Sequence, residues 1–162
     1  MDIFEFSIQM EHDAEELYRT LASKTEQTGI KKIFTMLADD EVKHAHAVEV
    51  LQKKMDTSAV KGSMKEVQTI FASLKKESVD GILSKDLLVE LRRALEIEKK
   101  GKEFYEEQFS KFDTEAGRKL FKSLSRQEEY HYMTVNNLIE LVEKPEWWVE
   151  NAEFTPKGDD YY

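Results

Sequence analysis

Apolar residues recur every three to four positions along almost the whole chain, and no valine- and threonine-rich run alternates apolar with polar. That spacing belongs to amphipathic α-helices, so the pattern predicts an all-α protein. Both prolines, Pro145 and Pro156, stand near the C-terminal end. Nothing from Met1 to Lys144 therefore breaks a helix by ring sterics.

Four long helices are expected. The first runs from about Asp2 to Gln27 and turns Ile3, Phe4, Ala14, Leu17, Tyr18 and Leu21 inward. The second runs from about Gly29 to Met55. The third follows Ser84, a capping residue type, and turns Leu87, Leu88, Leu91, Ala94 and Leu95 inward. The fourth starts where Asp113 or Thr114 can cap, and carries Phe121, Leu124, Val135 and Leu138. Each spans ~25–30 residues, or ~40 Å. Tight turns join them into two antiparallel hairpins, 2–56 and 84–143.

The connection between the hairpins, 57–83, is long enough to run the length of a bundle. Within it Met64, Val67, Ile70, Phe71 and Leu74 mark a short amphipathic helix, with Ser63 and Glu66 as a capping box in front. The reading is thus a four-helix bundle over 1–143 and a tail over 144–162. The tail holds Trp147, Trp148, Phe154, Tyr161 and Tyr162, too many aromatics for a free segment, and is expected to pack on the bundle or on a second subunit.

The second helix breaks its own pattern. Its inward stripe runs Ile30, Ile33, Phe34 and Leu37, then Glu41 and His44, then Val48 and Leu51. A carboxylate and an imidazole occupy the middle of an apolar face. The second hairpin repeats the first at a constant shift of 87 residues, without a gap. Glu11 falls on Glu98, Tyr18 on Tyr105, Phe34 on Phe121, Leu37 on Leu124, Glu41 on Glu128 and His44 on His131.

Each copy therefore supplies one Glu from its first helix and a Glu-x-x-His from its second. Residues three apart share a helix face. The three ligand positions of each copy are about equidistant from the turn, so folding both hairpins stacks Glu11, Glu41, His44, Glu98, Glu128 and His131 in one layer. Four carboxylates and two imidazoles inside a core need their charge cancelled. Two divalent metal ions do so, with one histidine each, and oxygen-rich ligation with some imidazole suits iron or manganese.

Neighbouring positions matter to this layer. Tyr18 and Tyr105 sit on the same face as Glu11 and Glu98, either as core tyrosines or as hydrogen-bond partners of the ligands. Gly101, one turn after Glu98, has Ala14 as its counterpart. Its small volume serves either close helix packing or a pocket beside the metals for oxygen or peroxide. His12 and His46 are off the stripe and read as surface residues or as outer neighbours of the ligands, while the acidic runs around Glu15 and Glu106 read as solvated faces.

Composition narrows the setting. A chain of 162 residues suffices for one domain with a real core. A net charge of -9 argues against nucleic acid and against an anionic membrane surface as partners, and suits a protein that holds cations. The absence of cysteine excludes Fe–S clusters and Cys-ligated zinc in this chain. No apolar run approaches a membrane span, and the start "MDIFEFSIQME" has no basic region or apolar signal core, so a cytoplasmic protein is expected.

The E…ExxH set in each hairpin, with the frames "MEHDAEELY" and "IEKKGKEFY", resembles the ferritin-like superfamily of carboxylate-bridged dimetal proteins, and its rubrerythrin-like branch most closely. The resemblance covers roughly residues 3–142. It implies a ferritin-like bundle with a left-handed crossover and a site for two irons, with manganese or a mixed pair as variants. In it Glu11 and Glu98 are terminal ligands, Glu41 and Glu128 bridge, and His44 and His131 bind one iron each. Relatives of this kind reduce peroxide, react with oxygen or oxidise ferrous iron. Full rubrerythrins add a cysteine-bearing rubredoxin-like domain that this chain lacks, and place a further Glu where Gly101 stands. Their fourth helix usually has a carboxylate at the place of His131, so this ligand set is nearer that of bacterioferritins. The expectation is a dinuclear iron oxidoreductase, homodimeric, reacting with oxygen or hydrogen peroxide and fed by an external rubredoxin-type electron donor. The alternative is ferrous iron oxidation or buffering without a storage cage.

Overall fold

The computed structural model describes residues 1–55 and 87–144. Helix α1 (Ile3–Lys24) opens on Asp2, whose carboxylate accepts the Glu5 N–H at 2.8 Å while the Glu5 carboxylate accepts the Asp2 N–H at 3.0 Å. This reciprocal box satisfies two amide donors that a helix start leaves free. α1 ends three residues before the expected Gln27, because Thr25 turns extended (φ −88°, ψ 134°) and its N–H closes on Leu21 O. Helix α2 (Thr28–Lys54) follows at once. Helix α3 is described over Leu87–Phe109, so its expected cap, Ser84, lies outside the described residues. Helix α4 (Glu115–Glu143) opens on Thr114, the second of the two expected caps, which accepts the Gly117 N–H at 3.2 Å.

Gly117 also has a packing reason. A Cβ there would stand 2.4 Å from Cδ1 of Phe112, a ring buried to 2% exposure. The bare backbone lets the α3–α4 turn fold its phenylalanine under the first turn of α4.

The direction of each helix follows from side chains that meet across the bundle. Tyr18 reaches Glu98 and Tyr105 reaches Glu11, so α1 and α3 run antiparallel. His44 meets Gln127 and His131 meets Asp40, so α2 and α4 do too. α2 and α3 are consequently parallel, and the end of one lies at the opposite end of the bundle from the start of the other. This is the all-α four-helix arrangement expected from the two hairpins. The expected crossover helix (Met64 to Leu74) and the aromatic tail lie outside the described residues.

Two apolar clusters fill the bundle, one on each side of a polar layer. One is mainly aliphatic, with Leu17, Leu21, Ile30, Leu37, Leu91, Val135 and Leu138 around Tyr18 and Phe34. The other is aromatic, with Phe4, Phe6, Phe104, Tyr105, Phe112 and Phe121. Phe112 and Phe121 approach to 4.5 Å between centroids, and Tyr105 meets Phe121 edge-on at 5.2 Å. The clusters anchor all four helices and keep water from the layer between them.

Candidate metal centre

All six side chains expected in the polar layer are there, and all are buried. Exposure is 1% for Glu11, 0% for Glu41, 2% for His44, 1% for Glu98, 4% for Glu128 and 1% for His131. The tightest group is Glu41, His44, Glu128 and His131, whose ligand atoms lie within 4.8 Å of one another. Each Glu-x-x-His pair comes from one helix face, and the two faces are opposed across the bundle axis.

The geometry sorts the carboxylates into two kinds. Glu41 reaches both imidazoles, with Oε2 at 3.0 Å from His44 Nδ1 and Oε1 at 3.0 Å from His131 Nδ1. Glu128 Oε1 stands 3.2 Å from His44 Nδ1. Glu11 approaches only His44, at 3.5 Å, and Glu98 only His131, at 3.6 Å. So Glu41 lies between the two histidines, while Glu11 and Glu98 flank the layer on their own hairpin's side.

The polar partners outside this layer come from the other hairpin. Tyr18 donates its hydroxyl to Glu98, and Tyr105 donates to Glu11. Of the two readings open for the tyrosines, partnership with the carboxylates is the one found. The outer ring nitrogens also face across the bundle, His44 Nε2 hydrogen-bonded to Gln127 Oε1 at 2.6 Å and His131 Nε2 at an ion-pair distance of 3.6 Å from Asp40 Oδ2. With Nε2 so engaged, Nδ1 of both rings faces the centre.

Gly101 does not border an open pocket. A Cβ built on it would stand 2.9 Å from Glu128 Oε2, so the Glu128 carboxylate occupies the space that the missing side chain leaves. A side chain there would have to move that carboxylate. His12 and His46 are exposed, as expected.

Electrostatics show what the layer lacks. Burial, then the nearby Glu41 charge, pushes the Glu11 carboxyl up to about 8. Burial, then Glu11 and Glu41, also holds Glu128 well above the usual carboxylate range. Burial would raise Glu41 too, but the two imidazoles outweigh it and hold this carboxyl far below its usual range. Burial would depress His44 and His131, yet the surrounding carboxylates hold both well above the ordinary imidazole value. Without a metal, protons supply the positive charge. Even so, Glu41 Oε1, Glu98 Oε2, Glu128 Oε1 and His131 Nδ1 are buried without a hydrogen-bond partner. Glu41 Oε1 and His131 Nδ1 are near each other but not aligned as donor and acceptor. Buried polar atoms in native proteins are nearly always satisfied. Three carboxylate oxygens and a ring nitrogen that converge without an aligned hydrogen bond fit a cation, and the O,N set fits a divalent metal such as iron or manganese.

The sequence profile of the rubrerythrin family matches residues 2–85, just over half the chain. A hypothetical protein from Pyrococcus furiosus is similar in structure, with a TM-score of 0.65, 22% identity, and coverage of 88% of this chain and 89% of that one. No curated protein matches. Among the described residues no helix is long and apolar enough to cross a membrane.

Proposed function

The chain belongs to the rubrerythrin family and has a ferritin-like fold, and on that premise we propose that its buried layer holds two iron ions and reacts with oxygen or hydrogen peroxide. The observation that carries this reading is the set of buried carboxylate oxygens and a ring nitrogen left without an aligned hydrogen bond around two Glu-x-x-His pairs. Glu11 and His44 would hold one ion and Glu98 and His131 the other, with Glu41 and Glu128 shared between them. Bound iron supplies one-electron redox chemistry and open coordination positions for an oxygen species.

The residues of the chain do the rest. Tyr18 and Tyr105 fix the rotamers of Glu98 and Glu11 by hydrogen bonds across the bundle. Burial, then the neighbouring carboxylates, hold both phenols well above their ordinary value, so each keeps its proton and acts as a hydrogen-bond donor to its carboxylate. The apolar clusters exclude water, which strengthens every charge interaction in the layer. Electrons come, in this proposal, from a rubredoxin-type donor outside the chain, and the protein acts as a cytoplasmic homodimer.

The second reading, oxidation or buffering of ferrous iron as substrate, has a specific support. Gly101 stands where full rubrerythrins place a further Glu, and a side chain there would have to move the Glu128 carboxylate. Anaerobic loading with ferrous iron, followed by elemental analysis and stopped-flow mixing with oxygen or peroxide, separates the two. Two irons per chain, oxidised and re-reduced over many turnovers, are expected of the redox enzyme. Iron uptake well beyond two per chain supports iron handling instead. Failure to retain iron at all refutes both.

A further inference from the structure

What touches the six ligands from outside is almost the same in both hairpins. The tyrosines are paired, Tyr18 on Glu98 and Tyr105 on Glu11. The partners of the imidazoles are not. His44 Nε2 faces the amide oxygen of Gln127 at 2.6 Å, and the Gln127 amide nitrogen is held by Ser123 Oγ at 3.3 Å. That second bond leaves the amide oxygen for the ring. His131 Nε2 faces the carboxylate of Asp40 at 3.6 Å. Asp40 and Gln127 are the same position in the two repeats, each just before its glutamate. The repeat has put a charged group behind one imidazole and a neutral one behind the other.

Resting on the reading that the layer holds two divalent cations, we propose that its two metal positions are inequivalent and fill in order. The position at Glu98 and His131 is the tighter, because Asp40 stands behind its imidazole. The position at Glu11 and His44 is the looser, because Gln127 stands there. A ligand histidine donates its outer N–H to a neighbour, and that neighbour tunes the basicity of the nitrogen facing the metal. A carboxylate draws the proton and adds a negative charge to the site. An amide oxygen fixes the same tautomer without adding charge. Lys43 takes the other Asp40 oxygen at 2.8 Å, but its side chain is 55% exposed, so solvent screens most of what it offsets. At limiting metal the chain holds one ion at the His131 position, and the His44 position exchanges with solution.

The test uses cobalt(II) alone, added anaerobically to the metal-free full chain and followed by calorimetry and proton NMR. In the cobalt form each ligand imidazole contributes one strongly shifted, exchangeable Nε2–H signal. Two binding steps are expected, with one such signal at the first equivalent and a second at the next. Asp40→Asn should weaken the first step by about 10- to 100-fold, move the first signal and leave the second step in place. Gln127→Glu should tighten the second step by a similar factor and move the second signal. Either variant narrows the gap between steps from its own side, which a merely structural role would not do. Two cobalt ions bound in wild type with equal affinity, or both variants moving the same step, overturns the inference and leaves the two-cation reading standing. No cobalt uptake overturns that reading and this inference with it.

Discussion

The α1–α2 and α3–α4 hairpins bring the same ligand types to the same layer, with the same tyrosine crossing to the partner hairpin. They differ in what lies against those ligands. Gly101 gives Glu128 room where the first hairpin has Ala14, and Gln127 backs His44 where Asp40 backs His131. The duplicated positions supply the carboxylates, the imidazoles and the tyrosine donors to Glu98 and Glu11. The positions that diverged differ in charge and in volume beside the layer.

Removing the shared part should have the largest effect. A metal that binds only the folded chain stabilises it by about 2.7 kcal/mol per ion at 100 times its Kd. Chelation should therefore lower the melting temperature of the loaded protein clearly. Glu41→Ala with Glu128→Ala, which deletes the carboxylates lying between the histidines, should make melting indifferent to chelator. A wild-type protein that melts at one temperature with and without metal would contradict the site.

Acidity should produce the next effect, with opposite signs in the two metal states. Glu11 moves from 4.5 in the unfolded chain to about 8 when folded, so the folded chain binds the extra proton between those values. Its contribution to stability is full below about pH 4.5 and lost as pH rises through about 8. His44 and His131, raised above 6.5, add the same sign at higher pH. Glu41, lowered from 4.5, adds stability above that value that is lost only in acid. The metal-free protein should thus become less stable from about pH 5 to about pH 8. Metal affinity should rise over the same window, because the ion displaces those protons. Melting curves with and without metal should diverge as pH rises, and curves that converge would count against protons standing in the metal's place.

The tyrosines test the symmetric side of the comparison. Tyr18→Phe and Tyr105→Phe each leave a buried carboxylate without its donor, at about 1–3 kcal/mol. Denaturant unfolding of the metal-free protein should show nearly equal losses. A large inequality would mean that the two crossings are not equivalent.

The smallest effect concerns Gly101 and Ala14. Gly101→Ala gains about 1 kcal/mol of helix propensity but forces the Glu128 carboxylate aside. Stability should change little or rise while metal affinity falls. Ala14→Gly should cost about 1 kcal/mol of stability and leave affinity unchanged. Parallel changes in both quantities would show that Gly101 has no special relation to Glu128.

Sequence and structure agree where a side chain's role follows from its helix face. Glu41 and His44 interrupt an apolar stripe, and the shift of 87 residues finds Glu128 and His131, so the ligand layer was legible. Asp40 and Gln127 were not singled out, because each sits at the edge of that stripe among exposed charges and declares its role only across the bundle. The same shift pairs them and was the signal available. Gly101 was legible as a contact point, but whether its space was empty depended on the Glu128 rotamer, which no periodicity encodes. Glu90, buried at 2% exposure with Arg93 at 3.0 Å, falls where the first hairpin has Ile3, so the repeat gave no hint of it. The short end of α1 turned on the local conformation of Thr25, a boundary that pattern fixes poorly.

The central claim is that two hairpins build one site for two metal ions. Anomalous diffraction at the iron edge, from crystals of the anaerobically loaded protein, tests it most directly. The account predicts two peaks in the polar layer, one beside Glu11 and His44 and one beside Glu98 and His131, with Glu41 reaching both. A single peak at full loading, or iron found only on the exposed acidic faces, would contradict it.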